Sequence, residues 1–166
     1  MEENYSLWFM PTGKIYHKYK NIIKDLAKKY NSPTFEPHVT LIGTIKDKDV
    51  FEKTSLLSKK IKPFTIKIIK ASYMFDYYRC VLALAEPNKE IMEAAKTARE
   101  LFTDYNKREY IPHLSLLYGN FSEEIKQKIV NELGDLSVEF KVNKIHLVTS
   151  GDIPEKWSVV KEYKLG

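Results

Sequence analysis

Phe35-Glu36-Pro37-His38-Val39-Thr40-Leu41-Ile42-Gly43 has a partner later in the chain, Tyr110-Ile111-Pro112-His113-Leu114-Ser115-Leu116-Leu117-Tyr118-Gly119. Each stretch reads aromatic, any residue, Pro, His, apolar, hydroxyl, apolar, and two such matches among only 4 histidines are more than composition supplies. Side chains at i and i+2 of a strand emerge on one face. His38 and Thr40 therefore share a face while Val39 and Leu41 enter the opposite layer, and His113 and Ser115 repeat the pattern. The proline before each histidine removes a backbone donor, which suits the first residue of a strand, so each histidine is expected to begin a strand beside a loop. Halves related by approximate two-fold symmetry set two imidazoles and two hydroxyls across a groove.

Outward from these stretches, segments rich in β-branched and aromatic residues predict strands over 5–10, 36–44, 64–74, 78–85, 110–118, 137–142, 144–149 and 157–163. Apolar residues at three-and-four spacing predict a helix over Ile15 to Tyr30, stopped by Asn31-Ser32-Pro33, and another through Ile91, Ala94, Ala95, Ala98, Leu101, Phe102 and Tyr105, with Pro87 in its first turn. Two shorter helices are expected over 50–61 and 123–133, the second capped by Ser122 and closed by Gly134. Short connections at Asp76-Tyr77 and at Asn143 suit antiparallel neighbours. No linker or low-complexity tract divides the chain, so residues 1–166 are expected to form one two-lobed α+β domain.

The 166 residues are 43% hydrophobic and 13% aromatic, enough for a core and unlike a disordered chain. No apolar run approaches the length of a membrane span, and the acidic start lacks a secretory leader, which predicts a cytoplasmic protein with no membrane partner. The single cysteine, Cys80, has no internal disulfide partner and reads as inert core. A net charge of +5 favours anionic partners weakly. Lys18, Lys20, Lys24, Lys28 and Lys29 are expected on the outer face of the first helix, serving solubility.

Two opposed histidines suit a reaction that gives a proton on one side and takes one on the other near neutral pH, with no cofactor. Hydrolysis of a phosphodiester is such a reaction. One neutral imidazole deprotonates water, the other protonates the departing oxygen, and Thr40 and Ser115 donate to the non-bridging oxygens, where a carboxylate would repel the substrate. Which histidine plays which part stays open. No Asp, Glu or Cys stands at ligand-like spacing from either histidine, so no metal is expected. His146 has its hydroxyl at i+3, on the wrong face, and reads as structural; His17 reads as surface. Arg79 could reach a second phosphate, but one arginine beside a turn reads as surface.

The pair His38-Val39-Thr40-Leu41 and His113-Leu114-Ser115-Leu116 resembles the paired motifs of the two-histidine (2H) phosphoesterases. With Tyr5-Ser6-Leu7-Trp8, Tyr78-Arg79-Cys80-Val81 and Trp157, the resemblance is to the plant and yeast cyclic phosphodiesterases over nearly the whole chain. It implies a bilobal α+β fold with two antiparallel sheets flanking a central cleft and helices packed outside. It implies metal-free opening of nucleoside 2',3'-cyclic phosphates to 2'-phosphates and of ADP-ribose 1'',2''-cyclic phosphate to the 1''-phosphate. His38 and His113 then correspond to the acid-base pair, Thr40 and Ser115 to phosphate donors, Tyr118 to a tyrosine near the phosphate, and Trp8 and Tyr78 to aromatic residues lining the cleft. The expected partner is a small cyclic-phosphate nucleotide, or an RNA end, bound by a monomer. Rival readings are a relative cleaving 2'-5' oligoadenylate or trimming RNA ends, and a nucleotide-binding module without catalysis. The plant enzymes' extra paired cysteines are missing here, and Gly151-Asp152-Ile153-Pro154 is a short lid segment.

Overall fold

The computed structural model describes residues 3–104 and 107–166. In chain order the elements are β1 (Tyr5–Phe9), α1 (Gly13–Tyr30), β2 (Val39–Ile45), α2 (Val50–Lys60), β3 (Phe64–Tyr73), β4 (Val81–Ala85), α3 (Lys89–Leu101), β5 (His113–Leu117), α4 (Glu123–Leu133), β6 (Val138–Val142), β7 (Lys144–Thr149) and β8 (Ser158–Lys164). Two single 3-10 turns occupy Tyr77–Arg79 and Pro154–Lys156. This is the order of strands and helices the apolar spacing predicts.

Local chemistry sets the helix ends. α1 buries Tyr19, Ile23 and Ala27 and stops where Asn31 takes the left-handed conformation, φ 51°. The Ser122 hydroxyl accepts the Ile125 N–H at the start of α4, as its sequence position suggests. At α3 the cap is Asn88, whose side chain accepts the Ile91 N–H, so Pro87 lies just ahead of the helix rather than in its first turn. Tyr105, expected on the apolar face of that helix, lies outside the described residues.

The strands form an antiparallel sheet in the order β6-β3-β4-β5-β2-β1-β7-β8. Its two four-stranded halves, each with one motif strand at its inner edge, are joined, among the described residues, where β2 meets β5, through the pair Val39–Leu114. The two sheets of the expected cleft are thus halves of one continuous sheet. The helices interlock the halves: α1, which follows β1, packs on β5, and α3, which precedes β5, packs on β2. Val39, Leu41, Leu114 and Leu116 face that helical layer in the core with Tyr19, Ile23, Ala94 and Ala98. The other sheet face is left to form the cleft.

The connection at Asn143 is a correction to the sequence reading. β6 and β7 are not neighbours: β6 pairs with β3 at the edge of one half, and β7 lies between β1 and β8 in the other. One intervening residue is too short for a tight reversal, which takes two, so the chain passes straight from half to half. The Asp76-Tyr77 connection does join antiparallel neighbours, with Tyr73 opposite Val81.

Gly119, just past β5, sits at φ 149° and donates its N–H to the Tyr77 carbonyl at 3.0 Å, tying the end of the second motif to the 3-10 turn. A Cβ there would stand 2.4 Å from the Phe121 ring. Gly119→Ala is expected to lower stability by about 1–3 kcal/mol, from backbone strain plus the clash, read as a fall in urea midpoint at unchanged m-value.

Candidate active site

Because β2 and β5 run antiparallel through Val39–Leu114, one step to either side sets His38 opposite Ser115 and Thr40 opposite His113. All four side chains line one cavity of about 430 Å³, on the sheet face away from the helices. Trp8, Tyr78, Tyr118 and Trp157 line it too, as do Asp76, Arg79 and Arg108.

Each imidazole is held in the same way. Nδ1 of His38 lies 2.6 Å from the Glu36 carbonyl, and Nδ1 of His113 lies 2.7 Å from the Ile111 carbonyl. A carbonyl only accepts, so each Nδ1 carries the proton and each Nε2 presents its lone pair elsewhere. Glu36 is itself anchored: Lys20 on α1 bonds its carboxylate at 2.8 Å and the Phe35 carbonyl at 3.1 Å, and the Tyr16 hydroxyl bonds the other carboxylate oxygen. Lys20 is therefore not one of the solvating lysines expected on the outer face. The aromatic residue that opens each motif braces the opposite one. Phe35 stacks on Tyr118 at 3.8 Å, and the Tyr110 hydroxyl donates to the Thr40 carbonyl at 3.0 Å.

The two halves differ in their surroundings. His38 is buried and stacked on Trp8, centroids 3.6 Å apart and planes 10° from parallel. Burial, opposed by the Glu36 hydrogen bond and reinforced by the neighbouring His113 charge, holds its pKa at about 4. Burial also lowers the His113 pKa, with the Arg79 charge adding to the fall and the Asp76 carboxylate opposing it. The Ser115 hydroxyl donates to the Tyr78 carbonyl at 2.8 Å, whereas the Thr40 hydroxyl makes no hydrogen bond among the described residues. Trp8, only 2% exposed, reaches the cleft mainly as the backing of His38. Tyr78 is 46% exposed and offers its ring to solvent, 6.2 Å from the Trp157 ring. Tyr118 is buried, and its phenol is pushed well above the ordinary range by desolvation.

His146 lies away from the cavity. It pairs across strands with Trp8 and stands 3.5 Å from Glu162, with its Nδ1 buried and unpartnered. Cys80 is in the core, its thiol pushed up by burial. Arg79 is not the surface residue its isolation in sequence implies: its Nε and Nη2 both lie 2.6 Å from Asp76 Oδ2, at the wall of the cleft. Asp76 was not singled out as a site residue, although the Asp-x-x-Arg spacing over a turn carries the signal, since Asp76 also accepts the Arg79 N–H at 3.0 Å. Among the described residues no group of three or more His, Cys, Asp and Glu side chains gathers as metal ligands would, and no helix is long and apolar enough to cross a membrane.

Comparison with known proteins places this geometry in a family. The sequence pattern of the cyclic phosphodiesterase-like proteins matches residues 1–164. The chain belongs to that family, within the two-histidine phosphoesterases, and is an enzyme of this kind. It is 27% identical to a cyclic phosphodiesterase of Arabidopsis thaliana, over 94% of this chain and 92% of that one. It is 26% identical to a 2',3'-cyclic-nucleotide 3'-phosphodiesterase of Yarrowia lipolytica, over 83% of this chain and 67% of the relative. Among solved structures, E. coli LigT in apo form shares the fold with a TM-score of 0.67 at 17% identity, over 99% of each chain.

The depressed His38 pKa has a consequence for stability. The unfolded imidazole takes up a proton near pH 6.5, whereas the folded one stays neutral down to about 4. The native state therefore keeps this contribution above pH 6.5 and loses it as pH falls from 6.5 to 4, by on the order of 3 kcal/mol. Urea unfolding at pH 7.5, 5.5 and 4.5 is expected to show a steeper loss in the wild type than in His38→Asn; parallel curves would remove this reading of the burial.

Proposed function

We propose that the chain hydrolyses nucleoside 2',3'-cyclic phosphates to 2'-phosphates, and ADP-ribose 1'',2''-cyclic phosphate to the 1''-phosphate, by metal-free acid-base catalysis between His38 and His113. The observation that carries this is the matched pair of Nδ1–H bonds to carbonyls, which leaves two Nε2 atoms as proton acceptor and donor in one cavity. The name of the Arabidopsis relative supports a cyclic phosphodiester as substrate, and that of the Yarrowia relative a 2',3'-cyclic nucleotide.

In the proposed reaction a cyclic phosphate sits between the two motifs. His38, whose pKa the charge on His113 lowers further, is neutral and takes a proton from the attacking water through Nε2. The water oxygen bonds to phosphorus, the bond from phosphorus to the 3' oxygen breaks, and His113 as imidazolium protonates that oxygen. Two imidazoliums in one cleft repel, so their protons leave in two steps, and between the two pKa values the pair holds one proton, the state such a reaction needs. Thr40 has a free hydroxyl to donate to a non-bridging oxygen. Ser115 does the same after its hydroxyl turns away from the Tyr78 carbonyl. Trp8 closes one face of His38 against water and holds its ring plane, Tyr118 lies beside the phosphate, and Tyr78 offers its exposed ring to the base or sugar. The enzyme acts as a monomer on a small nucleotide or the end of an RNA.

His38→Ala and His113→Ala are each expected to cut turnover of 2',3'-cyclic AMP by at least about 10²-fold in the presence of chelator. Full activity in either folded variant contradicts the mechanism. Because both pKa values lie below the usual imidazole range, kcat/KM should be bell-shaped with its optimum below pH 6.5. The residual activity of His113→Ala should lack the alkaline limb and that of His38→Ala the acidic limb; the reverse pattern exchanges the two roles.

A further inference from the structure

The cleft wall beyond His113 carries charge that the two-motif chemistry does not use. Asp76 Oδ2 receives Arg79 through both Nε and Nη2 at 2.6 Å, and Arg108 Nη1 approaches the same oxygen at 3.7 Å. Two guanidinium groups thus converge on one oxyanion. Its other oxygen is taken by the Arg79 backbone N–H, which fixes the carboxylate and so fixes Arg79. These three groups, which together carry one positive charge, line the same cavity as the histidines, where Arg99, Glu109 and Asp152 also stand. Arg108 is the loose member, its side chain 76% exposed and its one ion pair among the described residues long.

We propose that Arg79 and Arg108 form a second anion subsite, which takes a phosphate group carried on the 5' side of the nucleotide whose cyclic phosphate lies between His38 and His113. This rests on the reading of the cleft as a nucleotide site. The Asp76 oxygen marks where an oxyanion sits between the two guanidiniums, and a phosphate offers more oxygens than a carboxylate to planar N–H forks. Asp76 keeps Arg79 in place through Nε and Nη2, leaving the Arg79 Nη1 and the whole Arg108 fork for the ligand. Arg108 swings from a long, exposed contact that costs little to give up. A bound second phosphate also neutralises the Arg79 charge beside His113, which favours the imidazolium that the leaving oxygen needs.

The test is a binding comparison that does not depend on turnover. Calorimetric titrations with 2'-AMP and with adenosine 2',5'-bisphosphate give an affinity ratio for the wild type, Arg108→Gln and Arg79→Gln. The wild type is expected to bind the bisphosphate at least about tenfold more tightly, the scale of one charge-assisted contact. In Arg108→Gln, on an exposed side chain that leaves the fold untouched, the ratio should fall to about twofold or less, and Arg79→Gln should lower it as well. Equal binding of the two ligands by the wild type, or a ratio unchanged in both variants, overturns the second subsite and leaves the cyclic-phosphate reading standing. Failure of the wild type to bind either ligand overturns both.

Discussion

Two hydrogen bonds of one form, Nδ1–H of His38 to the Glu36 carbonyl and Nδ1–H of His113 to the Ile111 carbonyl, orient the two imidazoles of the cleft. In each the acceptor is the residue two before the histidine, with a proline between. The proline delays the start of the strand until the histidine or the residue after it, so the carbonyl ahead of it is free for the imidazole. Each ring is thereby fixed in one tautomer. Without these bonds the rings would rotate, and neither lone pair would keep a fixed direction in the cavity.

The rest of the fold holds these carbonyls and the strands behind them still. α1 reaches Glu36 through Lys20 and Tyr16, while Trp8 on β1 covers the His38 ring. The two motifs brace one another through Phe35 on Tyr118 and Tyr110 on the Thr40 carbonyl. Among the described residues the halves share one strand pair at Val39–Leu114, so these cross-links and the exchanged packing of α1 and α3 set the width of the cleft. A site prearranged this closely spends little binding energy on ordering its own groups.

Much of this was legible in sequence because it is local. The motif repeat, the i and i+2 faces, the order of elements and the Ser122 cap all depend on residues a few positions apart. The features that escaped are long-range. The single residue between the strands at Val142-Asn143-Lys144 is too short for a reversal, but which distant strands each one joins is not written there. The aromatic at the head of each motif was visible as a pattern, but its partner lies in the other motif. Trp8 was expected at the cleft, yet only the pairing of β1 with β2 shows that it is stacked behind His38. Arg79 is the local exception: its partner Asp76 stands three residues before it, and the Asp-x-x-Arg spacing over the turn was there to read. Thr40 and Ser115 are equivalent in sequence and unlike in structure, since the 3-10 turn supplies a carbonyl to only one of them.

The most direct test of the account is phosphorus NMR of the chelator-treated protein with a 2',3'-cyclic nucleotide in oxygen-18 water. The account predicts one product, the 2'-phosphate, with a single heavy oxygen on phosphorus, and its loss in both histidine variants. A 3'-phosphate, or an unchanged cyclic phosphate, would contradict the placement of acid and base on either side of the phosphorus.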